Sequence, residues 1–223
     1  MSTSWGLLFD CDGTLVDSEP LLARELARTF TAMGLPFSAD DYLHRYRGTR
    51  FKTIMTRLEA HHRRKANLDR PLETIEAEMR TRLLARIEHE LMPIAGVQAA
   101  LQALPSFARA VASNGPLNKI QLSMRVSGLA KFFDTHLYSA YEVGYWKPDP
   151  ELFLHAAKAL SMPPERCIVI DDAKVGVQAG LAAGMHVVHY RHHPEEPTPP
   201  GAHPLAHMAS LSALIDTIVK GAK

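Results

Sequence analysis

Apolar and polar positions along the chain change rhythm several times. Trp5-Gly-Leu-Leu-Phe9 is a short, continuous apolar run bounded by polar residues, which predicts a buried strand. It ends at Asp10-Cys-Asp12-Gly-Thr14. From Ser18 the spacing becomes helical: Leu21, Leu22, Leu26 and Phe30 share a face, and Gly34 with Pro36 closes the element. Helical spacing continues from about Asp40 to Glu90, through Ile54, Met55 and Leu58 and then Ile75, Met79, Leu83 and Ile87, with Pro71 between.

After the punctuated stretch Leu91–Gly96, strands and helices alternate. Strands are predicted at Ala110–Ser113, Leu137–Ser139, Cys167–Asp171 and His186–Tyr190. Helices are predicted around Ser123–Leu129 and over Glu151–Leu160, Val175–Ala183 and Leu211–Val219. The proline-rich stretch Pro194–Pro204 is read as a surface loop. Strands separated by helices imply an α/β fold with a doubly wound parallel sheet. The block at 17–91 breaks that rhythm. It is read as an inserted α-helical cap, leaving 1–16 and 92–223 as the α/β core, with hinges near Val16–Ser18 and Leu91–Gly96.

Composition narrows the class. The 223 residues are 46% hydrophobic and 22% charged, ordinary globular usage that excludes a disordered or fibrous chain. With 25 Lys+Arg and 24 Asp+Glu the formal net charge is +1. No global positive field holds nucleic acid or an anionic membrane, so neither is an expected partner. Cys11 and Cys167 sit in apolar runs and give no disulfide framework, and Met1–Leu8 carries no secretory pattern. These features predict a soluble cytoplasmic protein, a monomer or a small homo-oligomer. Residues 45–65 carry eight basic side chains against Glu59 alone. This fits a cap face for a small anionic substrate as well as it fits a solvated helix face.

In a doubly wound sheet, ligands bind beyond the carboxyl ends of the strands. Those ends carry Asp10 and Asp12, then Ser113 with Asn114 and Gly115, then Asp171 and Asp172. Lys147 follows the weak third strand, ahead of Pro148. Each segment has a plainer reading on its own: a tight turn at Asp12-Gly13, a turn at Ser113–Pro116, a helix N-cap at Asp171 or Asp172, a solvated lysine in a rigid loop. Together they place four carboxylates, a hydroxyl and an ammonium at one edge. Gathered carboxylates repel unless a proton or a cation sits among them, and hard oxygen donors suit magnesium. Lys147, Ser113 and free main-chain N–H groups are then left to hold an anion, which describes a phosphoryl site.

The segment Phe9-Asp10-Cys-Asp12-Gly-Thr14-Leu-Val-Asp17 resembles the first motif of the haloacid dehalogenase superfamily. Ser113-Asn-Gly115, Lys147-Pro-Asp149-Pro and Val169-Ile-Asp171-Asp172 followed by Ala-Lys-Val-Gly176 resemble the second, third and fourth. The resemblance implies a Rossmann-like core of strand order 3-2-1-4-5 and an Mg²⁺-dependent phosphohydrolase. Asp10 would be the nucleophile and a metal ligand. Asp12 would be the general acid and base, and its main-chain carbonyl a metal ligand. Ser113 and Lys147 would bind the phosphoryl oxygens. Asp172 would be a direct metal ligand and Asp171 an outer one.

Within the superfamily, Asp12 argues against a dehalogenase and against the phosphonate-cleaving branch, for whose cap lysine Lys52 could be mistaken. The phosphosugar mutase branch shares both aspartates and stays open, as does a non-catalytic binding module. The words Ser113–Lys119, Tyr145–Pro150 and Arg47-Gly48 are similar to those of bacterial sugar-phosphate phosphatases. That likeness brings Arg47, Gly48 and Arg50 to the substrate's distal oxygens and makes the substrate a small phosphorylated metabolite. Glu19 would meet a sugar hydroxyl, and Cys11, Asn114 and Gly115 would line the phosphate. The pairs His61-His62 and His192-His193 lack complementary metal-ligand spacing and are read as surface histidines.

Overall fold

The computed structural model describes residues 5–192 and 195–222; Met1 and its neighbours to Ser4, His193, Pro194 and Lys223 lie outside them. The chain divides into two compact units between Asp17 and Ser18 and again between Leu91 and Met92.

The α/β unit is built on one parallel sheet. Its strands are β1 (Gly6–Phe9), β2 (Ala108–Ser113), β3 (Leu137–Ser139), β4 (Cys167–Asp171), β5 (His186–Tyr190) and β6 (His203–Leu205), in the order β3-β2-β1-β4-β5-β6. β1 is central, pairing Phe9 with Val111 on one side and with Ile170 on the other. Every residue of β1 and β4 is buried, so side chains on both faces of the sheet are covered, as a parallel sheet between helical layers requires. The order 3-2-1-4-5 is present with one strand added. His203–Leu205, inside the stretch read as loop to Pro204, pairs with Val188–Tyr190. Three residues opening on His-Pro carry too short an alternation for the sequence to show a strand; β5 supplies the template.

The helical unit holds α1 (Glu19–Ala32), α2 (Ala39–Arg45), α3 (Phe51–His62) and α4 (Leu72–Glu90). It has its own core of Leu26, Phe30, Leu35, Phe37, Tyr42, Phe51, Ile54, Leu58, Ile75 and Met79, with Phe30 stacked on Phe51 at 4.8 Å. Ile75, Met79, Leu83 and Ile87, spaced by four, form the buried stripe of α4. Ser38 and Asp41 close a capping box at the start of α2. The carboxylate of Glu25, 1% exposed, accepts from Arg82 at 2.9 Å and from Arg86 at 2.7 Å. Arg82 also donates to the Thr29 hydroxyl.

The remaining helices belong to the α/β unit: α5 (Val97–Gln102), α6 (Leu117–Val126), α7 (Ala140–Val143), α8 (Glu151–Ala159), α9 (Lys174–Ala182) and α10 (Leu211–Gly221). The helix expected around Ser123–Leu129 starts earlier, behind Pro116, and ends before Gly128, whose φ of +71° no helix continues. One face of the sheet packs Leu8, Ala110, Ala112 and Val169 against Leu152, Phe153 and Ala156 of α8 and Val177 of α9. The two chain segments that leave and re-enter this unit pair with each other, Val16 against Pro93, and Ile94 N–H donates to the Leu15 carbonyl.

Candidate active site

The carboxyl ends of β1, β2 and β4 lie side by side because the register pairs Phe9 with both Val111 and Ile170. Asp10, Ser113 and Asp171-Asp172 therefore emerge from neighbouring strands. Lys147 reaches the same place from the loop after α7. Its ammonium donates to Asp10 Oδ1 at 2.6 Å and to Asp171 Oδ2 at 2.7 Å, with the side chain 2% exposed. This is a buried, paired lysine rather than a solvated one.

The Lys147 loop is held by Asn114. Lys147 N–H donates to Asn114 Oδ1 at 2.9 Å, and Asn114 Nδ2 donates to the Lys147 carbonyl at 3.2 Å. The Asn114 side chain thus braces the main chain of the Lys147 loop. Gly115 N–H donates to Ser113 Oγ at 3.1 Å, and Ser139 Oγ donates to the Gly115 carbonyl at 2.7 Å, so the Ser113–Gly115 turn is fixed at both ends.

Asp10, Asp171 and Asp172 are all buried, and one oxygen of each lies within 4.8 Å of the others. Burial pushes the Asp10 carboxyl well above its ordinary range, with the charges of Asp171, Asp172 and Asp12 adding to the rise and Lys147 opposing it. Burial raises Asp171 in the same way. Burial works to lower the Lys147 pKa, but Asp10 and Asp171 outweigh it, so the ammonium stays charged. Lys119, 6% exposed on α6, ion-pairs with Asp12. Asp10, Asp12, Asp171 and Asp172 thus gather four carboxyl groups around the two ammoniums of Lys119 and Lys147. Hard oxygen donors in that number fit one divalent cation. The cluster also fits the strand-end geometry that α/β sheets use for ligands.

Two glycines are dictated by this crowding. Gly13 has φ +82°, and a Cβ there would lie 2.5 Å from Asp172 Oδ2. At Gly176 a Cβ would fall inside the Asp171 carboxylate.

A model of the haloacid dehalogenase-like hydrolases matches residues 6–184. The chain belongs to this family. 6-Phosphogluconate phosphatase of Escherichia coli K12 is 36% identical over 192 residues, which cover 85% of this chain and 84% of that protein. A conserved haloacid dehalogenase-like protein of unknown function from Agrobacterium tumefaciens C58 superposes with a TM-score of 0.82 at 30% identity, over 97% of this chain and 99% of that one. A putative β-phosphoglucomutase from Thermotoga maritima superposes with a TM-score of 0.74 at 25% identity, over 96% and 99% of the two chains.

In this hydrolase the α/β unit alone brings together Asp10, Asp12, Ser113, Asn114, Gly115, Lys147, Asp171 and Asp172. Cys11 sits among them, 1% exposed, and burial pushes its thiol pKa up. Glu19, Arg47, Gly48 and Arg50 lie in the helical unit. Glu19 is the first residue of α1 and is buried. Arg47 and Gly48 form the turn after α2, Gly48 with φ +71°, and Arg50 is the N-cap of α3.

Two site residues escaped the sequence reading. Lys119 was visible only as part of the Ser113–Lys119 word. One turn into α6, its side chain comes beside Gly115, Ser113 Oγ and Asp12. His192 was read as a surface histidine; it is half-buried, with Nε2 2.8 Å from the Gly13 carbonyl and 3.3 Å from Asp172 Oδ2. No spacing pattern flags it, because its partners lie in the segments just after β1 and β4. Its neighbour His193 lies outside the described residues. Among the described residues, no helix is long and apolar enough to cross a membrane.

Proposed function

We propose that this hydrolase is an Mg²⁺-dependent phosphatase of small phosphorylated metabolites, sugar or sugar-acid phosphates, acting through a phosphorylated Asp10. Its family and its phosphatase relative make it a phosphoric monoester hydrolase. The observation that carries the reading is the buried Lys147–Asp10 pair inside a cluster of buried carboxyl groups. A nucleophilic carboxylate can approach an anionic phosphate only where its charge is balanced.

Asp10 and Asp172, with the Asp12 main-chain carbonyl, would hold the ion, and Asp171 would act from farther out. Bound there, Mg²⁺ would supply the positive charge that offsets the phosphoryl oxygens.

The chemistry belongs to the side chains. An Asp10 oxygen attacks phosphorus in line and forms the acyl phosphate as the ester P–O bond breaks. Asp12 gives its proton to the departing alkoxide, which leaves as the alcohol. Asp12, now a carboxylate, takes a proton from water as the water oxygen attacks phosphorus. The bond to Asp10 breaks, releasing phosphate and restoring both carboxyl groups. Ser113, Lys147 and the main-chain N–H of Cys11 bind the phosphoryl oxygens, and Lys119 orients Asp12. Glu19, Arg47, Gly48 and Arg50 of the helical unit would meet the distal part of the substrate. The basic run at 45–65 suits an acidic sugar phosphate.

The likeness to a putative β-phosphoglucomutase supports a second reading, a phosphosugar mutase built on the same aspartates. A panel of phosphorylated sugars and sugar acids with Mg²⁺ separates the two. Stoichiometric phosphate release is expected; isomerised sugar without phosphate would establish the mutase. Asp10→Asn should remove turnover and leave the far-UV CD spectrum unchanged, and substantial residual turnover would exclude the phospho-aspartate route.

A further inference from the structure

His192 lies just past the end of β5, the strand next to β4, and its ring meets two other strand ends. The ring nitrogen Nε2 is 2.8 Å from the Gly13 carbonyl and 3.3 Å from Asp172 Oδ2. Both partners are acceptors, so Nε2 must carry the proton and donate to both. On its other side the Asp172 carboxylate accepts from Thr14 Oγ1 at 3.0 Å, through Oδ1. The Asp172 main-chain carbonyl lies 3.3 Å from His189 Nε2, and His189 sits opposite Asp171 in the sheet. The ring of Tyr190 packs edge-on against His192 with centroids 5.0 Å apart, which restricts its rotation.

The geometry points to His192 as a positioning residue of the metal centre: one N–H ties the Asp172 carboxylate to the Asp12-Gly13 turn, fixing two of the ion's ligand groups relative to each other. The inference rests on the metal-site reading above. A carboxylate free to rotate must be ordered each time an ion binds. One clamped by donors on both oxygens presents its remaining lone pairs already in place. The bond also joins segments 179 residues apart, Gly13 and His192, so the loop after β5 contributes to a site that the four motifs do not include.

The test is direct metal binding, followed by the free Mn²⁺ signal in electron paramagnetic resonance and by the rise of Tm with Mn²⁺, without any substrate. Loss of such an outer partner costs about 10–100-fold in metal affinity. His192→Ala should weaken Mn²⁺ binding by that factor. His192→Gln, whose amide can place an N–H near the position of Nε2, should recover most of it. His192→Asn, one methylene shorter, should not, and it carries the same comparison if the alanine variant fails to fold. At saturating Mg²⁺ the KM for the best phosphate ester should stay within about twofold of wild type, because the loss lies in assembling the site.

Wild-type Mn²⁺ affinity in His192→Ala or His192→Asn would overturn the inference. Equal losses in the asparagine and glutamine variants would do the same, since the donor would then not matter. If the wild-type protein binds Mn²⁺ and releases phosphate from an ester, the proposed function stands whatever the variants do. If it binds no Mn²⁺, the positioning role and the metal site fall together, and phosphate release reports separately on the reaction.

Discussion

Lys147 Nζ lies 2.6 Å from Asp10 Oδ1, although 137 positions separate the two residues along the chain. The same ammonium reaches Asp171 at 2.7 Å. One buried cation thus links the end of β1 to the end of β4.

Lys147→Met should therefore reduce activity and stability together. Removing a charged donor at a phosphoryl site costs about 10²–10³ in kcat. Leaving Asp10 and Asp171 buried without their cation costs on the order of 3–5 kcal/mol. Thermal unfolding in EDTA should show the full loss, and Mg²⁺ should narrow the gap to wild type. A Tm unchanged in EDTA would mean that the ammonium does not neutralise the cluster.

Asn114 acts one step removed, through two hydrogen bonds to the Lys147 main chain. At roughly 0.5–1.5 kcal/mol each, their loss in Asn114→Ala should lower kcat by about tenfold or more while KM moves little. Asn114→Asp can still accept from Lys147 N–H but cannot donate, and should fall between. If KM rises and kcat holds, Asn114 contacts the substrate instead.

Gly176 faces the Asp171 carboxylate so closely that an added methyl must displace it. Gly176→Ala should cost about 1–3 kcal/mol of stability and a large part of the activity. Gly221→Ala, in α10 with nothing within 4 Å, is the matching control and should be neutral. Urea unfolding of the two variants makes the comparison.

In the helical unit, burial works to raise the Glu25 carboxyl, but the hydrogen bonds from Arg82 and Arg86 outweigh it and hold its pKa below the ordinary 4.5. A carboxyl whose folded pKa is depressed contributes stability above its unfolded pKa and loses it as pH falls through the folded value. Glu25→Gln should lower Tm at pH 7 by roughly 3–10 °C, as expected for weakened charged hydrogen bonds in a chain of this size. The difference from wild type should shrink as pH drops below about 4.5. A constant difference from pH 7 to pH 3 would mean that Glu25 is not ionised in the folded state.

The order of strands and helices was legible because each element writes its own period into the chain. The continuous apolar run before Asp10 and the four-residue spacing from Ile75 to Ile87 are local facts. Asp10, Asp12, Ser113, Asp171 and Asp172 were legible for a related reason: in a parallel sheet, residues at the carboxyl end of each strand are committed to one edge. The gathering of carboxyl groups, a hydroxyl and an ammonium at that edge could be read from residue types and their places on the strands.

Tertiary structure decided what depends on partners far along the chain. β6 exists because β5 offers a free edge, not because His203–Leu205 is a strong strand former. Asn114 braces the Lys147 loop because the Lys147 main chain meets its amide. Lys119 and His192 joined the site through register and loop path, as a long ammonium beside Asp12 and a ring between Gly13 and Asp172. Sequence periodicity records which face of an element is buried, but it does not record which polar groups converge once the faces have packed, and that convergence sets the charges and hydrogen bonds of the site.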